Sequence, residues 1–219
     1  MTILVVVVAA AALGPGVLLS SRLERDLQAS LRARDVSVRA TAGPVAVFQG
    51  RLARLRVRAA DATFDGTAVD AVVLDLRGVR VDPGRAFQGD LVLRGVEGGT
   101  AVLVIGEARL REYLESRGVQ GAAVQLDDGV VRVTGRVTVL GALVDIALRA
   151  GLALRDGARL DLDVQELRVS GLEVPRDVAN ALASSVNPLL TAPQEPVRLR
   201  FTGVGIDRGT ARLTGEVAP

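Results

Sequence analysis

Strict alternation of apolar and polar residues between Leu126 and Val169 constrains the fold of this chain more than any other feature. Val, Ile and Leu alternate there with Arg, Thr and Asp, which places apolar side chains on one face of a β-strand. Asp128-Gly129 and Asp156-Gly157 interrupt the pattern. Asp-Gly favours a two-residue hairpin turn, because a type I′ turn needs positive φ at both positions. The stretch therefore predicts three or four consecutive antiparallel strands whose shared apolar face must be covered.

The apolar content of the chain also favours strands. Of 219 residues 49% are hydrophobic but only 2% are aromatic, so Val, Leu and Ala dominate. All 27 basic residues are Arg, and the formal net charge is +2. Because these charges are scattered singly along the predicted strands, we expect no nucleic-acid surface, which requires a clustered basic stripe.

Two residue types that many enzymes use in catalysis are missing. The chain contains no Cys and no His, which excludes thiol nucleophiles, Cys-ligated zinc and imidazole bases. Asp161 and Asp163 share one strand face, but no loop with calcium-binding geometry accompanies them. Ser184 and Ser185 have no His or Lys as a partner base. We therefore expect a protein without catalysis, cofactor or metal.

Residues 3–19 are uncharged and almost wholly apolar. Their length lies at the short end of the range for a spanning helix. We predict that residues 1–20 form a membrane anchor or signal-like helix; a cleaved signal sequence and a buried core segment are the alternatives. Arg22 and Arg25 follow the run and no basic residue precedes it, which by the positive-inside rule would keep the domain cytoplasmic.

Residues 21–219 are predicted to form a single α+β domain. Leu19, Leu23, Leu27 and Leu31 recur every fourth residue, which predicts an amphipathic helix ending near Asp35. Two further amphipathic helices are predicted at 107–117, closed by Gly118, and at 175–187. Strands are predicted elsewhere, ending with 197–206 and 210–217.

Six segments follow one another in an order that resembles the LmeA-like phospholipid-binding family of bacterial envelope proteins. They are Gly50–Gly66, L-D-L-R-G-V-R-V-D from Leu74, A-R-L-R-E-Y-L from Ala108, Leu167–Pro175, Val186–Leu190 and Val197–Gly215. The resemblance covers nearly the whole chain after the apolar run. It implies a membrane-associated, extracytoplasmic lipid binder with a tubular lipid-binding fold, and it supplies no catalytic motif.

The sequence and the resemblance together predict a strand-rich α+β fold. In it, one long curled antiparallel sheet wraps two to three amphipathic helices, after an N-terminal apolar helix. One or two acyl chains would lie between the sheet and the helices at 107–117 and 175–187, although a fully packed core is the alternative. The predicted groove-lining residues are Leu110, Leu114, Val144, Ile146, Leu148, Val178, Leu182 and Val186.

The predicted function is non-catalytic binding of phospholipid, or of another acyl-chain lipid, at the bacterial cell envelope. It would serve lipid carriage or envelope maintenance. The expected location is the cell membrane with the domain outside the cytoplasm, against the positive-inside count. Two alternatives stay open: a membrane-anchored adaptor that binds another envelope protein and holds no lipid, and an inactive hydrolase accessory.

Overall fold

The computed structural model describes residues 35–41, 49–64, 66–82, 93–139, 141–194 and 198–219. The predicted apolar helix at 1–20 and the amphipathic helix after it lie outside the described residues. Within the described ranges, neither helix has the length and hydropathy that crossing a bilayer requires.

Seven strands form the first sheet. They are β1 (Asp35–Thr41), β2 (Arg51–Phe64), β3 (Thr67–Val81), β4 (Leu93–Gly95), β5 (Gly98–Gly106), β12 (Arg198–Asp207) and β13 (Thr210–Ala218). Their order is β1-β2-β3-β5-β13-β12, and β4 pairs with β3. The two C-terminal strands thus continue a sheet that the N-terminal strands begin.

Six strands form the second sheet. They are β6 (Gln120–Asp127), β7 (Val130–Val139), β8 (Ala142–Arg155), β9 (Arg159–Val169), β10 (Leu172–Glu173) and β11 (Leu190–Thr191). The order is β10-β9-β8-β7-β6, and β11 pairs with β9. Two helices accompany the strands, α1 (Glu107–Ser116) and α2 (Arg176–Ala183).

The predicted hairpin turns are confirmed. Gly129 has φ +79° between β6 and β7, and Asp156 and Gly157 have φ +55° and +64° between β8 and β9. At Asp156-Gly157 both residues therefore have the positive φ that a type I′ turn requires, whereas at Asp128-Gly129 only the glycine does. Gly209 joins β12 to β13 in the same way, with φ +77°. Local turn chemistry therefore determines which neighbouring strands pair.

The predicted architecture of one long sheet wrapping two to three helices is wrong. The described residues form two antiparallel sheets and two helices, of ten and eight residues. At 1.5 Å per residue the helices are roughly 15 and 12 Å long. The 14-residue β8 extends roughly 45 Å, so neither helix can be a core for it to wrap. Pairing of β5 with β13, far apart in the chain, has no local sequence signal.

The chain divides into two compact units. Unit 1 comprises Met1–Leu103, Ala192–Thr202 and Thr214–Pro219, and unit 2 comprises Val104–Thr191 and Gly203–Leu213. In unit 1, Leu55, Val57 and Leu76 are at most 1% exposed. In unit 2, Val131 and Leu160 are fully buried. That residues 21–219 form a single domain stays a prediction.

Candidate functional site

The apolar floor of the candidate site is the inner face of β7, β8 and β9 in unit 2. Residues directly opposite each other in an antiparallel pair project to the same face. Val133 lies opposite Leu148, which lies opposite Leu167. One register further, Gly135 lies opposite Ile146, which lies opposite Val169. The alternation that was read from the sequence is thereby converted into continuous apolar rows across three strands.

A register shift keeps the floor apolar along the full length of β9. The pairing of β8 with β9 shifts between Arg149 and Ala150. Opposite the part of β8 that ends at Arg149, the apolar residues of β9 are odd-numbered, as in Leu167. Opposite the part of β8 that begins at Ala150, they are even-numbered, as in Val164 and Leu162. The shift arises because β9 has one more residue than β8 at this point. Without that extra residue, the apolar side chains of β9 beyond the shift would point to solvent.

Helix α1 and the loop after it cover one end of this floor. Gly118 has φ +95° and ends the helix, as the sequence predicted. The N–H of Val119 then donates to the carbonyl of Leu114 at 3.1 Å. A Cβ at Gly135 would lie only 2.9 Å from Cγ1 of Val119. The missing side chain at Gly135 therefore lets the loop rest directly on the sheet.

Helix α2 is tied to the edge of β9 by the segment that follows it. Asn187 accepts the N–H of Leu162 at Oδ1 (2.8 Å) and donates from Nδ2 to the Leu162 carbonyl (3.0 Å). Its side-chain amide thus extends, by one register, the pairing of Leu190 with Leu160. Because α2 ends at Ala183, shortly before Asn187, this contact holds the end of the helix beside β9.

One hydroxyl links α1 to the same segment. Oη of Tyr113 lies 2.7 Å from the carbonyls of Val186 and of Pro188, and its hydrogen can be donated to either. Burial raises the pKa of the Tyr113 hydroxyl, although nearby Arg117 acts in the opposite direction. The hydroxyl therefore remains a donor at neutral pH, and both helices are held over one sheet.

Sheet and helices line a partly open cavity of about 480 Å³. This volume is within the range of small-molecule sites, roughly 300–1,000 Å³. The walls are mainly apolar, and Leu162 and Leu167 are buried, whereas Ile146, Leu148 and Val164 stay partly exposed. The lining residues are Leu114, Arg117, Gly118, Val119, Gln120, Val133, Val137, Thr138, Val139, Ile146, Leu148, Leu162, Val164, Leu167, Ala179, Leu182, Ala183, Ser185 and Val186. The helices therefore cover the apolar floor incompletely.

Arg117 is the one charged residue among the described residues that line the cavity. Its guanidinium lies 5.2 Å from the centre of the Tyr113 ring, a cation–π distance that orients the side chain. Arg117 itself is exposed, so its charge lies at the solvent side of the cavity. An apolar chamber with one cation at its rim suits an amphipathic anion.

The structure brings five of the eight predicted groove residues to this cavity: Leu114, Ile146, Leu148, Leu182 and Val186. Leu110 is buried at 4% exposure without lining it, and Val178 is 47% exposed. Val144 lies on the same face as Ile146, outside the lining. That any of the eight contacts lipid stays a prediction.

Sequence reasoning missed most of the floor on β7 and β9. Val133, Val137, Leu162 and Val164 all belong to the alternating stretch, so the signal was present. Which part of each strand lies under a helix depends on register and on α2, and neither follows from alternation. Arg117 was also missed, since one Arg among 27 has no distinguishing pattern.

Comparison with known proteins supplies the ligand class. A sequence model of the LmeA-like phospholipid-binding family matches residues 10–216, nearly the whole chain. The chain belongs to the LmeA-like phospholipid-binding family. No curated protein matches it, and no solved structure does. Membership supports phospholipid as the ligand class, and the apolar cavity with Arg117 at its rim has the chemistry to receive one.

Among the described residues no three carboxylates approach closely enough to hold a metal ion. The expectation that the protein has no catalytic activity stays a prediction.

Proposed function

We propose that the cavity of unit 2 holds an acyl chain of a phospholipid and that the protein carries or retains this lipid at the bacterial cell envelope without catalysis. The observation that carries the proposal is the incompletely covered apolar floor, in a chain of a phospholipid-binding family. Burying a methylene contributes about 0.8 kcal/mol, so a chain lying along Val133, Leu148 and Leu167 gains affinity with length.

Arg117 gives the proposed lipid its orientation. A guanidinium can hold a phosphate through two parallel hydrogen bonds. The headgroup would thus face Arg117 at the rim, and the acyl chain would extend over Ile146 and Leu148. This arrangement leaves the polar end of the lipid in water, which avoids the cost of burying a charged phosphate.

The decisive experiment fills the cavity from helix α2. Ala183 lines the cavity, whereas Ala181, two residues earlier on the same helix, is exposed and does not. The full chains carrying Ala183→Phe and Ala181→Phe are purified identically, extracted with organic solvent and analysed by mass spectrometry. Because the N-terminal residues are the same in both, any lipid that they retain cancels in the comparison.

We expect Ala183→Phe to lose most of the co-purifying phospholipid and Ala181→Phe to retain the wild-type amount. Equal lipid in both variants would refute occupancy of the cavity. Arg117→Gln, with the exposed Arg111→Gln as its control, should reduce the anionic share of the bound lipid without changing its chain length. If wild-type protein holds no lipid at all, the membrane-anchored adaptor becomes the better explanation.

A further inference from the structure

Strand pairing gathers arginines on one surface of unit 1. β2 and β3 alternate buried apolar residues with residues that project away from the core, and Arg39 of β1 lies opposite the projecting Arg56. We define the arginine face as the projecting set Arg39, Arg51, Arg54, Arg56, Arg58, Arg77 and Arg80. The scattered charges of the sequence are therefore clustered here, on an area of roughly 24 by 10 Å over three strands.

Three cross-strand pairs on this face join like charges. Arg51 lies opposite Arg80, and Arg54 lies opposite Arg77. Arg39 lies opposite Arg56 on the other side of β2. Like charges directly opposite in a sheet are destabilising. Because three such pairs lie on this face, a negatively charged partner would relieve the repulsion between the arginines.

The face has little negative charge of its own. Asp75 receives hydrogen bonds from Arg54 at 2.6 Å and from Arg56 at 2.7 Å, and the two guanidinium groups hold the pKa of Asp75 well below its ordinary value. Glu97 is a second carboxylate, beside Gly78, and Asp35 is a third, on the same face of β1 as Arg39. Seven guanidinium groups and three carboxylates leave a net charge of +4. Within the described residues, the salt bridges on this face involve Arg54 and Arg56 alone.

A hollow of about 620 Å³ lies at one end of the arginine face. Arg51, Arg77 and Arg80 line it together with Glu97. Arg51 is on β2, and Arg77 and Arg80 are on the adjacent β3, so all three border one space. This hollow is large enough for a phosphate headgroup with its substituent.

We propose that the arginine face binds the phosphate headgroups of an anionic lipid bilayer. Guanidinium groups suit phosphate, and their spread over three strands suits a surface of many headgroups. Base stacking requires aromatic side chains, but Phe64 and Phe201, the aromatic residues of unit 1 that the structure describes, are 5% and 2% exposed. A membrane is therefore favoured over single-stranded nucleic acid. The inference rests on the proposed lipid function, since a lipid carrier must meet a membrane.

The first test neutralises four of the five arginines that lie outside the Asp75 ion pairs. A variant of the full chain carries Arg51→Gln, Arg58→Gln, Arg77→Gln and Arg80→Gln. Partitioning is measured by co-sedimentation with vesicles of phosphatidylcholine alone and with vesicles that also contain phosphatidylglycerol. The ratio of the two partition coefficients is the readout, because any apolar insertion by the N-terminal residues contributes equally to both.

The ratio should fall roughly 600-fold, since each of the four arginines near an anionic surface contributes about a fivefold factor. It should also collapse in wild type between about 0.1 M and 1 M salt, as the Debye length falls from about 10 to 3 Å. The matched control carries four exposed arginines of unit 2 changed to Gln: Arg136, Arg149, Arg176 and Arg212. An unchanged ratio in the arginine-face variant, or an equal loss in the control, overturns the proposal.

A gain of binding gives a readout that damage to the fold cannot mimic. Asp75→Asn removes one carboxylate and releases Arg54 and Arg56, so the ratio should rise about fivefold. A fall would contradict the proposal. Competition by single-stranded RNA at concentrations where the vesicles are not bound would instead assign the face to nucleic acid.

The two proposals fail separately. The arginine-face variant should retain wild-type amounts of co-purified lipid, whereas Ala183→Phe should keep the wild-type vesicle ratio. Lipid loss in Ala183→Phe with an unchanged ratio in the arginine-face variant refutes only the membrane surface.

Discussion

Replacing Asn187 by Ala should loosen α2 from the second sheet. The substitution removes two hydrogen bonds to the backbone of Leu162, one at 2.8 Å and one at 3.0 Å. Leu162 is 3% exposed, so both of its backbone groups lose their partners in a mainly buried place. A net hydrogen bond contributes about 1 kcal/mol, and an unsatisfied buried group costs roughly 1–3 kcal/mol.

How much the free energy of unfolding falls within this range depends on whether water can reach the site of Asn187. A polar hollow of about 310 Å³ borders Leu162, Asn180 and Asn187, so water can reach the vacated groups. We therefore expect the lower bound of the range: the free energy of unfolding should fall by about 2 kcal/mol for the two hydrogen bonds. For a chain of this size that corresponds to a fall in Tm of about 4–8 °C.

Circular dichroism measures the unfolding, and Tyr113 gives a local probe. The chain has one Tyr and no Trp, so Tyr113 emission reports on the contact with Val186 and Pro188 alone. In Asn187→Ala the Tyr113 transition should precede the loss of strand signal. Asn180→Ala is the matched control, because Asn180 is exposed on the same hollow and its side chain makes no hydrogen bond that ties α2 to the sheet.

Asn187→Asp tests the donor separately. A carboxylate still accepts the Leu162 N–H but faces the Leu162 carbonyl without a proton to donate. Stability should therefore recover as the pH falls towards about 4, because protonation in the folded state supplies the missing donor. The reasoning is refuted if Asn187→Ala unfolds at the same temperature as Asn180→Ala, or if Asn187→Asp shows no recovery in acid.

Three further predictions concern the packing, the hydroxyl link and the ion pairs. Gly135→Ala should lower the free energy of unfolding, measured by chemical denaturation, by about 1–3 kcal/mol, since its Cβ would meet Val119. Gly205→Ala, with open space around it, should be nearly neutral. Equal effects would contradict the close packing. Tyr113→Phe should cost about 1 kcal/mol. Because burial raises the pKa of Tyr113, wild type should lose stability as pH rises through that pKa, and Tyr113→Phe should lack this alkaline loss in pH-dependent melting. The Asp75 pKa is lowered, so the ionised carboxylate stabilises the fold above about pH 4 and this stabilisation is lost in acid. Asp75→Asn should therefore flatten the acid limb of the plot of Tm against pH. An unchanged acid limb would argue against the ion pairs.

The sequence by itself determined the local structure. The hairpin turns at Gly129 and Asp156, the end of α1 at Gly118 and the apolar face of β7–β9 all follow from interactions within a few residues of the chain. Periodicity and turn chemistry are local, so they can be read without coordinates. For the same reason the family resemblance, built on the order of such segments, is confirmed.

Only the tertiary structure decided what these elements enclose. The pairing of β5 with β13, the register shift at Ala150 and the Asn187 contact with Leu162 join residues that no local pattern relates. These non-local contacts produce two sheets where the sequence predicted a single curled sheet. They also position α2 so that a cavity remains beside Leu148. Arginines that look scattered in the sequence meet on β1–β3, because strand pairing converts distances along the chain into neighbours across a sheet.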